Sequence, residues 1–102
     1  MENDKKAYLF HQGTYYKAYE YMGCHMETYM GVKGATFRVW APNTNNVYVA
    51  GDFNNWDYTK NPMKKVTKAG IWELFVPNVD ELQKYKFVIK NGNEVLWKAD
   101  PY

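Results

Sequence analysis

From His25 to Lys98 apolar and polar side chains alternate in short runs, and turn residues punctuate them. A period of two marks an extended strand with one face buried. In Ala35–Trp40, Ala35, Phe37 and Val39 face one way and Thr36 and Arg38 the other, until Ala41-Pro42-Asn43 stops the run. Asn46–Ala50 alternates next and ends at Gly51-Asp52, and Met63–Val66 makes a weaker run before Gly70. Gly70–Val76 ends at Pro77, and Tyr85, Phe87 and Ile89 share one face of Lys84–Lys90. Asn91-Gly92 then predicts a two-residue type I′ hairpin, because both residues tolerate positive φ, and Glu94–Lys98 returns. With a first strand over His25–Met30, the seven short strands predict an all-β, immunoglobulin-like sandwich. Cys24 is the lone cysteine, so no antibody-type disulfide crosses it.

The sequence divides into an arm, residues 1–24, and a sandwich domain, residues 25–102. Within the arm, Thr14 is placed to cap a short helix over Tyr15–Met22, with Gly23 as its stop. Tyr15, Tyr19 and Met22 recur on one face. So short a helix is marginal alone in water and is expected to dock on something.

Several function classes are excluded. A chain of 102 residues holds one domain, whereas a (β/α)8 barrel needs ~250 residues. Thirteen basic and eleven acidic residues leave a net charge of +2. No Lys/Arg block exceeds two residues, so no nucleic-acid footprint is expected. The N-terminus does not resemble a signal peptide, and no run approaches the ~20 apolar residues of a membrane span. With one unpaired cysteine, this reads as a cytoplasmic protein. Two His and one Cys are too few for a metal site, and no glycine-rich nucleotide motif is present, so no metal or cofactor is expected. The chain has no serine. Cys24 and His25 point to opposite faces if extended and make a poor catalytic pair. Asp52 and Asp57 share a loop and form a conceivable carboxylate pair, but Asp at strand ends more often closes turns. No catalytic residues are expected.

Binding remains. Aromatic residues make up 19% of the chain, with ten Tyr, five Phe and four Trp. A small core cannot hide them all, so some belong on the surface. The loop Gly51-Asp52-Phe53-Asn54-Asn55-Trp56-Asp57 sets a bulky indole among small polar residues just after a strand. Phe53 reads as a cap on one end of the sandwich. Trp56 suits a flat, half-polar ligand such as a sugar ring, whose C–H face stacks on an aromatic plane while Asn55, lysines and backbone groups meet its hydroxyls. Trp97 is the second candidate for such stacking, with core as the alternative, since it shares one face with Val95 and Leu96 takes the other. Lys86 alternates opposite Tyr85 and Phe87 and reads as a solvated position.

Five segments together carry a resemblance: Phe10–Glu20, Thr36–Asn43, Val49–Trp56, Gly70–Phe75 and Lys98–Tyr102. In this order they resemble the amino-terminal part of bacterial glycogen branching enzymes, and the sandwich is similar to carbohydrate-binding module family 48. That family is immunoglobulin-like and is shared with isoamylases, pullulanases and the glycogen-binding domain of AMP-activated kinase. The arm, with Phe10-His11 before Gly13-Thr14 and Tyr19-Glu20 after Ala18, separates branching enzymes from the kinase. The resemblance implies that Trp56, in the Asn-Asn-Trp loop, stacks on glucose. It implies that Lys86, in Tyr85-Lys86-Phe87, contacts hydroxyls, and that Trp97, three residues before Asp100-Pro101, is a second stacking residue. The hairpin before Trp97 is longer here than in the kinase module.

The implied partners are α-1,4-glucan (glycogen, starch or malto-oligosaccharide) and a following α-amylase-type catalytic barrel, before which this chain stops. In that family the reaction makes α-1,6 branches. The alternative implied role is a structural interdomain module that supports the barrel and binds little sugar. Without a barrel, an exposed apolar patch or strand edge is expected, and with it either weak self-association or only marginal stability.

Overall fold

The computed structural model describes residues 21–101. Seven strands follow in order: β1 Gly23–Tyr29, β2 Val32–Trp40, β3 Asn46–Gly51, β4 Lys64–Lys65, β5 Ile71–Pro77, β6 Tyr85–Asn91 and β7 Glu94–Lys98. Two single 3-10 turns, Asp52–Asn54 and Tyr58–Lys60, lie between β3 and β4. All seven expected strands are present, although Met63–Val66 reduces to the two residues of β4. The helix expected over 15–22 lies outside the described residues except for Tyr21 and Met22, which form a turn and a bend leading into β1.

One antiparallel sheet has the order β1-β2-β5-β4 and the other β3-β6-β7. This is the strand arrangement of a seven-stranded immunoglobulin-type sandwich. Alternation sends Ala35, Phe37 and Val39 from β2 and Trp72 and Val76 from β5 inward, to meet Val47 and Val49 of β3 and Phe87 of β6. Phe37 is the hub, with its ring centroid 4.9 Å from Tyr85, 5.5 Å from Phe53 and 6.5 Å from Phe87. A buried Phe of this kind carries about 3–5 kcal/mol against truncation to Ala. Phe53 closes one end of the sandwich, as its place in the loop predicts.

Tight turns set the registers. Met30 (φ 51) and Gly31 (φ 83) both take positive φ between β1 and β2, the type I′ pattern. The β6–β7 hairpin differs from its expected form. Its two loop residues are Gly92-Asn93, and only Gly92 (φ 59) has positive φ. That is the type II′ pattern, which needs Gly only at the first central position.

The last residues of the arm are built into the domain. Tyr21 is 3% exposed and Met22 is fully buried. The Arg38 guanidinium lies 4.5 Å from the Tyr21 ring centroid, donates to the Tyr21 carbonyl at 3.1 Å, and pairs with Glu73 at 2.5 Å. Among the described residues no helix is long and apolar enough to cross a membrane.

Candidate functional site

The loop after β3 is organised by a side chain that sequence reasoning did not single out. Asn54 is 6% exposed and works as a substitute backbone. Its Oδ1 accepts from the Gly51 N–H at 3.0 Å, and its Nδ2 donates to the Val49 carbonyl at 3.1 Å and to Asn61 Oδ1 at 2.7 Å. The Gly51 N–H and the Val49 carbonyl are backbone groups of β3 that no strand pairs on that side, and buried groups of this kind must find partners. With the loop so tied, Asn55 and Trp56 both take left-handed conformations, at φ 56 and φ 61. Asn adopts this region readily, but a bulky residue there stores strain of about 1–3 kcal/mol.

Asp52 holds the indole in place. Its Oδ1 accepts from Trp56 Nε1 at 3.1 Å, and its Oδ2 accepts from the Lys84 N–H at 2.9 Å. The Trp56 N–H donates to the Gly51 carbonyl at 2.9 Å. Trp56 is left 38% exposed. It lines an open cleft of about 450 Å³ with Gln83, Lys84, Tyr85, Lys86 and Asp100. That volume lies in the range of small-molecule sites, ~300–1,000 Å³. Lys86 is exposed, and the Tyr85 hydroxyl donates to Asp100 Oδ2 at the floor. Burial and the Asp100 carboxylate push the Tyr85 phenol well above its usual range, so it stays protonated as a donor.

The other expected residues fall nearby. Trp97 is 42% exposed and stands across the ladder from Val88. Phe87 points into the core, so Val88, Lys86 and Trp97 share the outer face of the β3-β6-β7 sheet. The core reading of Trp97 is thus corrected: β7 is an edge strand whose faces the opposite sheet does not cover. Trp97 does not line the Trp56 cleft. It meets Tyr58 edge-on, at 5.9 Å and 89°, and Tyr58 meets Tyr48 at 5.0 Å. This row of rings covers an outer-face Val88 that is fully buried. Tyr58 and Tyr48 were missed, and the excess of aromatics over core volume was the signal for them. Asn55 is exposed and lines a separate cavity with Lys60, Asn61 and Asn78, not the Trp56 cleft.

Of the two loop carboxylates, Asp52 is engaged by Trp56 and Lys84, and Asp57 closes a turn. Asp57 Oδ1 accepts from the Thr59 hydroxyl at 2.6 Å and the Thr59 N–H at 3.1 Å. These bonds hold its carboxyl below the usual range, the opposite of what a general acid needs. Cys24 packs against the core while His25 Nε2 donates to the Met22 carbonyl at 2.8 Å, so the two serve different neighbours. Among the described residues no group of three or more His, Cys, Asp or Glu is disposed to hold a metal ion.

Residues 21–102 match the family model of carbohydrate-binding module 48, the isoamylase N-terminal domain. A 1,4-α-glucan branching enzyme of Chlamydia felis is 47% identical over 97 residues, covering 94% of this chain and 14% of that protein. A branching enzyme of Halothermothrix orenii is 46% identical over 104 residues, covering 100% of this chain and 16% of its own length. One of Bacillus subtilis is 44% identical over 97 residues, covering 94% and 16%. The chain therefore spans about one-seventh of the length of these relatives.

Proposed function

This chain belongs to the carbohydrate-binding module 48 family, and on that premise we propose that it binds α-1,4-glucan at the Trp56–Lys86 cleft. The observation that carries this reading is the positioning of Trp56. The fold tolerates a strained backbone at φ 61 and uses both oxygens of Asp52 to present an indole face beside Lys86. Strain of this kind persists where the surroundings enforce it, and such positions cluster at ligand sites. In the proposed mode the indole plane stacks on the C–H face of a glucose unit. Lys86 Nζ donates to its hydroxyls, and the Asp52 carboxylate fixes the ring without touching sugar. Trp97, backed by Tyr58, offers a second aromatic surface along the same sheet face. The relatives are named for action on 1,4-α-glucan, which supports the choice of ligand. Within a longer protein of that kind, the module holds substrate glucan near the branching centre.

A fluorescence titration with maltoheptaose, with cellohexaose as the β-linked control, tests this. A saturable change in Trp emission with the α-glucan alone supports the reading, and no response to ~10 mM of either sugar refutes it. A second reading, interdomain support within a longer branching enzyme, is favoured by the 87% exposure of Leu82 in the β5–β6 loop. It predicts no sugar response and a surface that requires further chain to cover it.

A further inference from the structure

The four sheet edges are not alike. The free side of β3 is occupied: Val49 N–H donates to the Asn61 carbonyl at 3.1 Å, Met63 N–H to the Val47 carbonyl at 2.8 Å, and Pro62 bridges opposite Tyr48. β4 is two lysines long, and β1 carries His25 and Glu27. Short, charged or covered edges are how sheets avoid further pairing. β7 differs. It has no neighbour on its far side among the described residues, has no proline or bulge, and all five of its residues are exposed. Its centre is Val95, Leu96 and Trp97, at 41%, 52% and 42% exposure.

The hydrogen-bond phase of this edge is fixed by the hairpin. In a two-residue turn the flanking residues, Asn91 and Glu94, exchange both backbone bonds, and the exchange alternates along the ladder. Glu94, Leu96 and Lys98 therefore spend their backbone groups on β6. Val95 and Trp97 direct theirs outward. Two outward-directed residues separated by one define a two-fold axis at Leu96.

We propose that two copies of this chain pair through β7, antiparallel and symmetric about Leu96, into one continuous six-stranded sheet. Val95 of each copy stands opposite Trp97 of the other in a hydrogen-bonded pair, so four backbone bonds form. Leu96 meets Leu96 of the second copy in a non-hydrogen-bonded pair, where side chains approach most closely. Glu94 falls opposite Lys98 of the second copy on the same face, twice by symmetry. A parallel pairing in register would set Glu94 against Glu94 and Lys98 against Lys98. The sequence Glu94-Val95-Leu96-Trp97-Lys98 is thus self-complementary in charge only in the antiparallel arrangement, as a two-fold interface requires. Pairing is edge to edge, so the outer faces of Trp97 and Lys86 stay open and two glucan-facing surfaces align along one sheet. The pairing itself does not depend on the glucan reading.

Sedimentation equilibrium of the 102-residue chain from ~10 μM to ~1 mM tests the proposal. The expected result is a monomer–dimer equilibrium whose dissociation constant rises at least ~10-fold in Glu94→Lys. The charge-swapped double variant Glu94→Lys/Lys98→Glu should return to within ~3-fold of the parent, and Leu96→Lys should be monomeric. These side chains are exposed, and unchanged melting curves establish that each variant is folded. A parent chain that stays monomeric to ~1 mM overturns the proposal. So does a dimer indifferent to Glu94→Lys, or one not restored by the double swap, since either outcome places the contact elsewhere.

Discussion

Replacing Asn54 with alanine tests how the Trp56 loop is held. The substitution removes three hydrogen bonds at once, made by a side chain that is 6% exposed, and leaves the Gly51 N–H and the Val49 carbonyl without these partners. Each buried backbone group left without a partner costs about 1–3 kcal/mol. Allowing for partial entry of water, the loss should be about 3 kcal/mol. For a domain near 100 residues this lowers the melting temperature by roughly 15 °C. Asn55 is the built-in control. It is the same residue type one position on, exposed and in the left-handed region, so Asn55→Gly should change stability by less than about 0.5 kcal/mol. Urea unfolding of the three chains, with equal m-values, reads both numbers. Asn54→Ala costing under about 1 kcal/mol, or no more than Asn55→Gly, would refute the claim that Asn54 organises the loop.

Other expectations follow from the same geometry. A Cβ at Gly51 would sit 2.5 Å from the Lys84 carbonyl oxygen and 2.7 Å from the Phe53 ring, so Gly51→Ala should destabilise by about 1–3 kcal/mol in urea melts. Trp56→Ala should weaken maltoheptaose binding about 10-fold or more while the chain stays folded, read by calorimetric titration and circular dichroism. Burial, and then the Asp100 carboxylate, push the Cys24 thiol from its ordinary 9.0 up to about 11. The folded state therefore holds that proton more tightly than the unfolded one. The associated stability is complete below pH ~9 and is lost as pH rises through about 11. Melting temperature should fall over that window and fall less in Cys24→Ser, and superimposable curves would contradict the assignment.

The strands were legible because each buries one face, and alternation of Ala35, Phe37 and Val39 against Thr36 and Arg38 admits little else. β4 was overextended because Met63–Val66 alternates too weakly to mark its ends. The β6–β7 turn was misphased by one residue, since Asn91, Gly92 and Asn93 all favour turns and period two alone does not choose among them. Alternation separated Val95 and Trp97 from Leu96 correctly but did not reveal that β7 is an edge with both faces open. Trp56 was readable as a bulky residue in a polar loop. Asn54 was not, because its role depends on contacts between segments; Tyr58 was signalled only by the surplus of aromatics, and Trp56 and Lys86 were joined only through the family resemblance. Asn54 and Asn55 differ in role only through φ and burial, which the letters Asn-Asn do not encode.

A maltoheptaose titration followed by backbone amide and indole nuclear magnetic resonance shifts locates the glucan site residue by residue. Saturable shifts are expected at the Trp56 indole and at Lys86, with smaller ones at Trp97, and all should disappear in Trp56→Ala. Shifts confined to another surface, or none at ~10 mM sugar, would contradict the assignment of the glucan site to this cleft.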